Sequence, residues 1–109
     1  MNLKISSIND FTVVTVEGRI DTTNAMEFES KMMEQINQGS SRIILDCSGL
    51  NYISSSGLRA FLVVNKKMVA GDGLFRLCSL QPGIREIFDI SGFTSIFAVH
   101  PDLESAAKG

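Results

Sequence analysis

Three adjacent hydroxyl residues, Ser54, Ser55 and Ser56, stand directly before Gly57 and Leu58. A serine can attack as a nucleophile if a base takes its proton, cap a helix by accepting from an unpaired backbone N–H, or carry phosphate. The first role needs partners. The single histidine, His100, lies far along the chain beside Pro101, and the sequence holds no GxSxG, no phosphate-binding P-loop, no GxGxxG after a strand, no HExxH and no CxxC. A small enzyme using Ser55 or Ser56 as nucleophile is therefore the weaker reading. Asp21 and Asp46 stand at predicted strand ends, but no cysteine or histidine cluster supports metal ligation by them. Capping and phosphorylation remain, and residue type alone does not separate them.

The elements around the serines follow from hydrophobic pattern. Arg42 to Cys47 carries Ile43, Ile44 and Leu45 without alternation, as expected of a strand buried on both faces of a parallel sheet. From Leu58 the period becomes helical, with Phe61, Leu62, Asn65, Met68 and Val69 predicted to share a face. The serines then fall at or just outside the first helical turn, where orphan N–H groups await acceptors.

Upstream, Leu3 to Ser7 and Phe11 to Glu17 form β-prone runs around Asn9-Asp10, which predicts a hairpin with Gly18 ending its second strand. Asn24 and Glu27 have capping-box spacing, and Ala25, Phe28, Met32 and Ile36 mark a helix ending near Gly39. Downstream come a break at Gly71-Asp72-Gly73, a strand over Leu74 to Cys78, and a helix opened by Pro82 with Ile84, Ile87, Phe88 and Ser91 on one face and Gly92 after its end. Ile96 to Val99 is too short to assign between strand and turn, and Asp102 to Ala107 reads as a final helix. The order β-β-α-β-α-β-α-(β)-α predicts an α/β fold, a mixed, mostly parallel sheet of four to five strands with about four helices and an antiparallel edge. The stretches Glu17 to Asn24 and Asp46 to Ser56 are then loops at the carboxyl ends of strands, where function collects in such sheets.

At 109 residues the chain is expected to form one domain. A net charge of -2 offers no basic footprint for nucleic acid. The N-terminal residues lack the apolar region of a signal peptide and no stretch is long enough to span a membrane, so a cytoplasmic location is expected. Cys47 and Cys78 each adjoin a predicted buried strand and read as core thiols in a reducing compartment. Phosphate on a serine at the helix start adds a charge of about -1.5 to -2 without requiring the fold to change, since anions are favoured there. A partner fitted to the neutral hydroxyl would meet that charge directly.

At these residues the chain resembles the STAS domain, and within it the bacterial anti-sigma-factor antagonists. The resemblance runs through the opening strands, the Gly18-Arg19-Ile20-Asp21 turn, the strand ending Leu45-Asp46, the segment Tyr52-Ile53-Ser54-Ser55-Ser56-Gly57-Leu58, the Gly71-Asp72-Gly73 turn and the helix ending Phe88-Asp89-Ile90-Ser91-Gly92. It implies a STAS domain over residues 1–109 with Ser55 as the phosphorylated residue, two positions before Gly57. Ser54 stands where many phosphorylated members have aspartate, Ser56 occupies a variable position, Gly57 and Leu58 match directly, and Asp21 matches an acidic residue near the phosphorylation site. Asp21, Ser54, Ser56, Gly57 and Leu58 are accordingly expected at a partner-binding surface.

The implied function is partner switching. The unphosphorylated form binds an anti-sigma factor that is also an ATP-dependent serine kinase, phosphorylation at Ser55 ends that binding, and a PP2C-type phosphatase restores it. ATP and magnesium then belong to the partner, and this chain is a substrate with no cofactor, no enzymatic activity, and no nucleic-acid or membrane partner. The alternative is a STAS scaffold or a small-ligand or nucleotide-sensing module whose serines only cap the helix.

Overall fold

The computed structural model describes residues 1–108. Strands β1 (Asn2–Ile8) and β2 (Phe11–Ile20) pair antiparallel around Asn9, whose φ of +54° asparagine tolerates better than most residues. There follow α1 (Ala25–Asn37), β3 (Arg42–Ile53), α2 (Ser55–Ala70), β4 (Leu74–Cys78), α3 (Pro82–Ile90), a 3-10 turn (Phe93–Ser95), β5 (Ala98–His100) and α4 (Leu103–Ala106). The sheet order is β1-β2-β3-β4-β5, with β2 to β5 parallel. The expected architecture is therefore observed, and Ile96 to Val99 resolves into the end of the 3-10 turn and the start of β5.

From β2 to β5 the chain advances one way across the sheet, so right-handed crossovers put α1, α2 and α3 on one face. Val14, Ile43, Leu45 and Leu77 point into that face and meet Phe28, Met32, Phe61, Val64, Ile84 and Phe88. Alternate residues Val13, Ile44 and Cys78 point to the other face, where Phe11, Ala106 and Ala107 join them. Ile43, Ile44 and Leu45 are all fully buried, as their unbroken apolar run predicts. Phe61 anchors the main core, with ring centroids 5.3 Å from Phe28 and 6.1 Å from Phe88.

Two strand ends lie later than the sequence pattern places them. Gly18 does not end β2, which runs on to Ile20, and β3 continues past Cys47 to Ile53. Their ladder shifts register between Thr15 and Glu17 and again between Gly18 and Arg19, with β3 carrying the extra residues. Such bulges break the two-residue alternation by which a strand is recognised, and Gly18, at φ +94°, supplies backbone freedom beside one of them. Most of Asp46 to Ser56 is therefore strand, and the loop proper narrows to the residues around Ser54.

The buried face of α2 is also rotated from the predicted one. Gly57, Ala60, Phe61, Val64 and Met68 are buried, Leu58, Leu62 and Asn65 are half-buried, and Val69 is exposed. Gly57 lets the start of α2 press on the ends of β2 and β3, and Ala60 is buried in the seam that α2 shares with Ala25 of α1. On α3, Ile84 and Phe88 are buried while Ile87 and Ser91 lie outward. Gly92, at φ +77°, follows the last turn as expected.

Candidate functional site

Parallel β2 and β3 end side by side at Ile20 and Ile53, and the Ser54 N–H donates to the Ile20 carbonyl at 2.9 Å. One ladder bond thus locks the start of α2 beside the loop that leaves β2. Ser54 is extended (φ -86°, ψ 172°) and caps the helix: its Oγ accepts from the Gly57 N–H at 3.1 Å, and its carbonyl accepts from the Leu58 N–H at 2.9 Å. Ser55 and Ser56 are the first two helical residues, whose N–H groups have no intrahelical acceptor.

The three hydroxyl residues therefore differ in environment. Ser54 is engaged in the cap, Ser56 is half-buried and lines a groove between α1 and α2, and Ser55 is exposed with no side-chain hydrogen bond among the described residues. Gly57 is buried because the helix start presses on both strand ends. A Cβ there would lie 2.7 Å from Ile53 Cγ1 and 2.8 Å from Ile20 Cγ2, inside contact distance. Gly57 and half-buried Leu58 seat the helix, so their exposure to a partner is limited.

The neighbouring loop is closed by its own side chains. Asp21 Oδ1 accepts from the Thr23 N–H at 2.9 Å and the Thr23 hydroxyl at 2.6 Å, while Oδ2 accepts from Arg19 Nε at 3.3 Å. The hydrogen bonds from Thr23, then the Arg19 charge, hold the Asp21 carboxyl below its ordinary value. The expected capping box does not form. Asn24 turns its side chain back instead, accepting from the Asp21 N–H at 2.9 Å and donating to the Arg19 carbonyl at 3.0 Å.

Arg19 also lies over the Tyr52 ring, 4.4 Å from its centroid, at a position where the two residues pair across β2 and β3. Sequence reasoning missed this contact. Both residues lie within stretches that carry the family resemblance, but their pairing depends on two register shifts that no pattern reveals.

The other reactive groups lie elsewhere. His100 pairs with Cys78 on β4, which pairs with Asp46 on β3, so it is level with Asp46 and two strands away, and no hydrogen bond links it to any of the three serines. Asp46 Oδ1 accepts from the Ser48 N–H at 3.0 Å, and Asp46 pairs with Thr15, six residues before Asp21 on the same passage of chain. No group of three or more metal-ligating side chains occurs among the described residues. Cys47 and Cys78 are buried free thiols pointing to opposite faces. Burial pushes Cys47 well up and Cys78 to about 11, with Asp46 adding to both.

This geometry matches a known family. The STAS domain profile matches residues 2–106. The chain belongs to the STAS domain family. BtrV of Bordetella bronchiseptica, named as an anti-sigma factor antagonist, is 39% identical over 98% of this STAS domain and 92% of its own length. An anti-sigma factor antagonist structure from Thermotoga maritima superposes with a TM-score of 0.90 at 18% identity, covering 95% of this chain and 90% of that one. The unphosphorylated form of the anti-sigma factor antagonist SpoIIAA gives 0.78 at 22% identity, over 95% and 92%. Within this STAS domain, Ser54 fills the N-cap position with its own oxygen, a role for which serine and aspartate are about equally suited.

Proposed function

We propose that this STAS domain is an anti-sigma-factor antagonist that works by partner switching, with Ser55 as the phosphorylated residue. The support is twofold: BtrV, similar over nearly the whole chain, carries the name of that activity, and Ser55 alone of the three serines is exposed with an unbonded hydroxyl. A kinase can reach that hydroxyl without dismantling the helix cap. The unmodified protein binds an anti-sigma factor that is itself a serine kinase, and the held sigma factor is released to transcription.

Phosphate on Ser55 sits beside the free N–H groups of the first helical turn, where an exposed anion gains about 0.3 to 1 kcal/mol. The fold therefore survives modification, and the effect falls on the partner. A surface matched to a neutral serine must desolvate or repel a charge of about -1.5 to -2. Only about 1.4 kcal/mol of mismatch lowers affinity tenfold. A PP2C-type phosphatase resets the switch. On this reading the chain is a substrate in the bacterial cytoplasm, with ATP and magnesium held by its partner. Asp21, with Arg19 and Tyr52, shapes the surface beside the modified serine.

Incubation with the partner kinase and ATP followed by phosphosite mapping tests the reading. Phosphate is expected at Ser55, S55A is expected to keep partner binding, and S55D to weaken it. Phosphate confined to Ser54 or Ser56, or a complex indifferent to S55D, contradicts it.

A further inference from the structure

Four of the five arginines have a visible occupation. Arg19 pairs with Asp21, Arg42 lies over Phe11, Arg76 donates to the Ala106 and Lys108 carbonyls, and Arg85 pairs with Asp89. Arg59 is different. Its side chain is exposed and has no ion pair, hydrogen bond or aromatic partner among the described residues. It lines the groove of about 380 Å³ between α1 and α2, together with Thr22, Met26, Glu29, Ser56 and Val63. Arg59 is the only cation in that lining, Glu29 is the only anion, and Met26 is 86% exposed.

Arg59 follows Ser55 by four positions on the same helix. Side chains at that spacing face one another across one turn, and an acid four residues before a base is the favourable order. A guanidinium offers a phosphate two parallel N–H bonds in one plane. The competing cation, Arg19, is already held by Asp21 at 3.3 Å and stacked on Tyr52.

Resting on the reading that Ser55 is modified, we infer that Arg59 receives the Ser55 phosphate and is thereby withdrawn from the groove. Before modification the groove presents an unpaired guanidinium beside an exposed methionine, suited to a partner's acidic side chain. After modification that guanidinium is neutralised from within, and Glu29 is the charge that remains. The phosphate thus acts in two places, at the helix start and in the adjoining groove.

The test uses the full chain with phosphoserine genetically encoded at position 55, which requires no kinase. Phosphorus NMR follows the second ionisation of the phosphate, near 6 for an unperturbed group. The ionisation is expected to be lower in the phosphoprotein than in its R59Q variant by about 0.2 to 0.4 pH units. R59K should recover most of the shift, and 1 M salt should shrink it. Identical titrations with and without Arg59, or a shift lost in R19Q but kept in R59Q, overturn the inference. A kinase that ignores Ser55 would contradict the proposed function and leave this titration unaffected, so the two failures are distinguishable.

Discussion

Replacing Ser54 and Ser55 separately by alanine divides the helix cap from the proposed switch. S54A removes the oxygen that accepts from the Gly57 N–H at 3.1 Å, leaving a partly buried donor without its acceptor. The backbone bond from the Ser54 N–H to the Ile20 carbonyl survives, so the loss is confined to the side chain. Loss of a serine N-cap costs about 1 kcal/mol, within a range of roughly 0.5 to 2. In a domain of this size that lowers Tm by about 4 to 8 °C per kcal/mol. S55A removes an exposed hydroxyl with no partner, and should change stability by no more than about 0.5 kcal/mol. S54D should stay near the parent, because aspartate is an equally good cap. Urea unfolding of the parent and three variants, at fixed pH and salt, measures all of this. If S55A costs as much as S54A, or if S54A costs nothing, the assignment of cap and free hydroxyl is wrong.

Three further outcomes follow from neighbouring geometry. G57A should destabilise by about 1 to 3 kcal/mol in urea unfolding despite alanine's better helix propensity, because its Cβ would meet Ile53 Cγ1 and Ile20 Cγ2 below 3 Å. The Asp21 carboxyl is held below its ordinary value, so its ionised form stabilises the native loop fully above the unfolded value of 3.8, and that stabilisation is lost as pH falls through the lower native value. The stability gap between parent and D21N should therefore be widest near neutrality and close below pH ~4, and a gap that widens in acid contradicts this. R76M should loosen α4, because the Arg76 guanidinium donates to the carbonyl of the helix's last residue, Ala106, at 2.8 Å and to the Lys108 carbonyl just beyond it at 2.7 Å, and Cys78 beneath α4 should then react faster with a thiol reagent than Cys47 does.

Much of the fold is legible in the sequence because its signals are local. The unbroken Ile43-Ile44-Leu45 run marks a strand covered on both faces, Asn9 marks the hairpin turn, and Gly92 marks the end of α3. What is lost depends on residues distant in sequence. β2 and β3 outlast their patterns because two bulges interrupt alternation, and Asn24 forgoes its own helix to close a loop with Arg19 and Asp21. The face of α2 is misread because Gly57 and Ala60, which carry little hydrophobic weight, take buried positions, Gly57 where Ile20 and Ile53 leave no room for a Cβ and Ala60 in the seam with α1.

The candidate site divides in the same way. The helix start at Ser54 to Leu58 is visible from the change of period, and the family resemblance singles out Ser55. The different environments of the three hydroxyls, and the Arg19–Tyr52 contact, require the register of the strands beneath them. Arg59 was open to a local rule, four residues after Ser55, yet only the structure shows that it lacks a partner.

Titrating the anti-sigma kinase with the unmodified protein and with protein carrying phosphoserine at position 55 measures the proposed switch itself. The phosphorylated protein is expected to bind at least tenfold more weakly, by about 1.4 kcal/mol or more, with an unchanged fold by circular dichroism. Equal affinities for the two forms would contradict the switch.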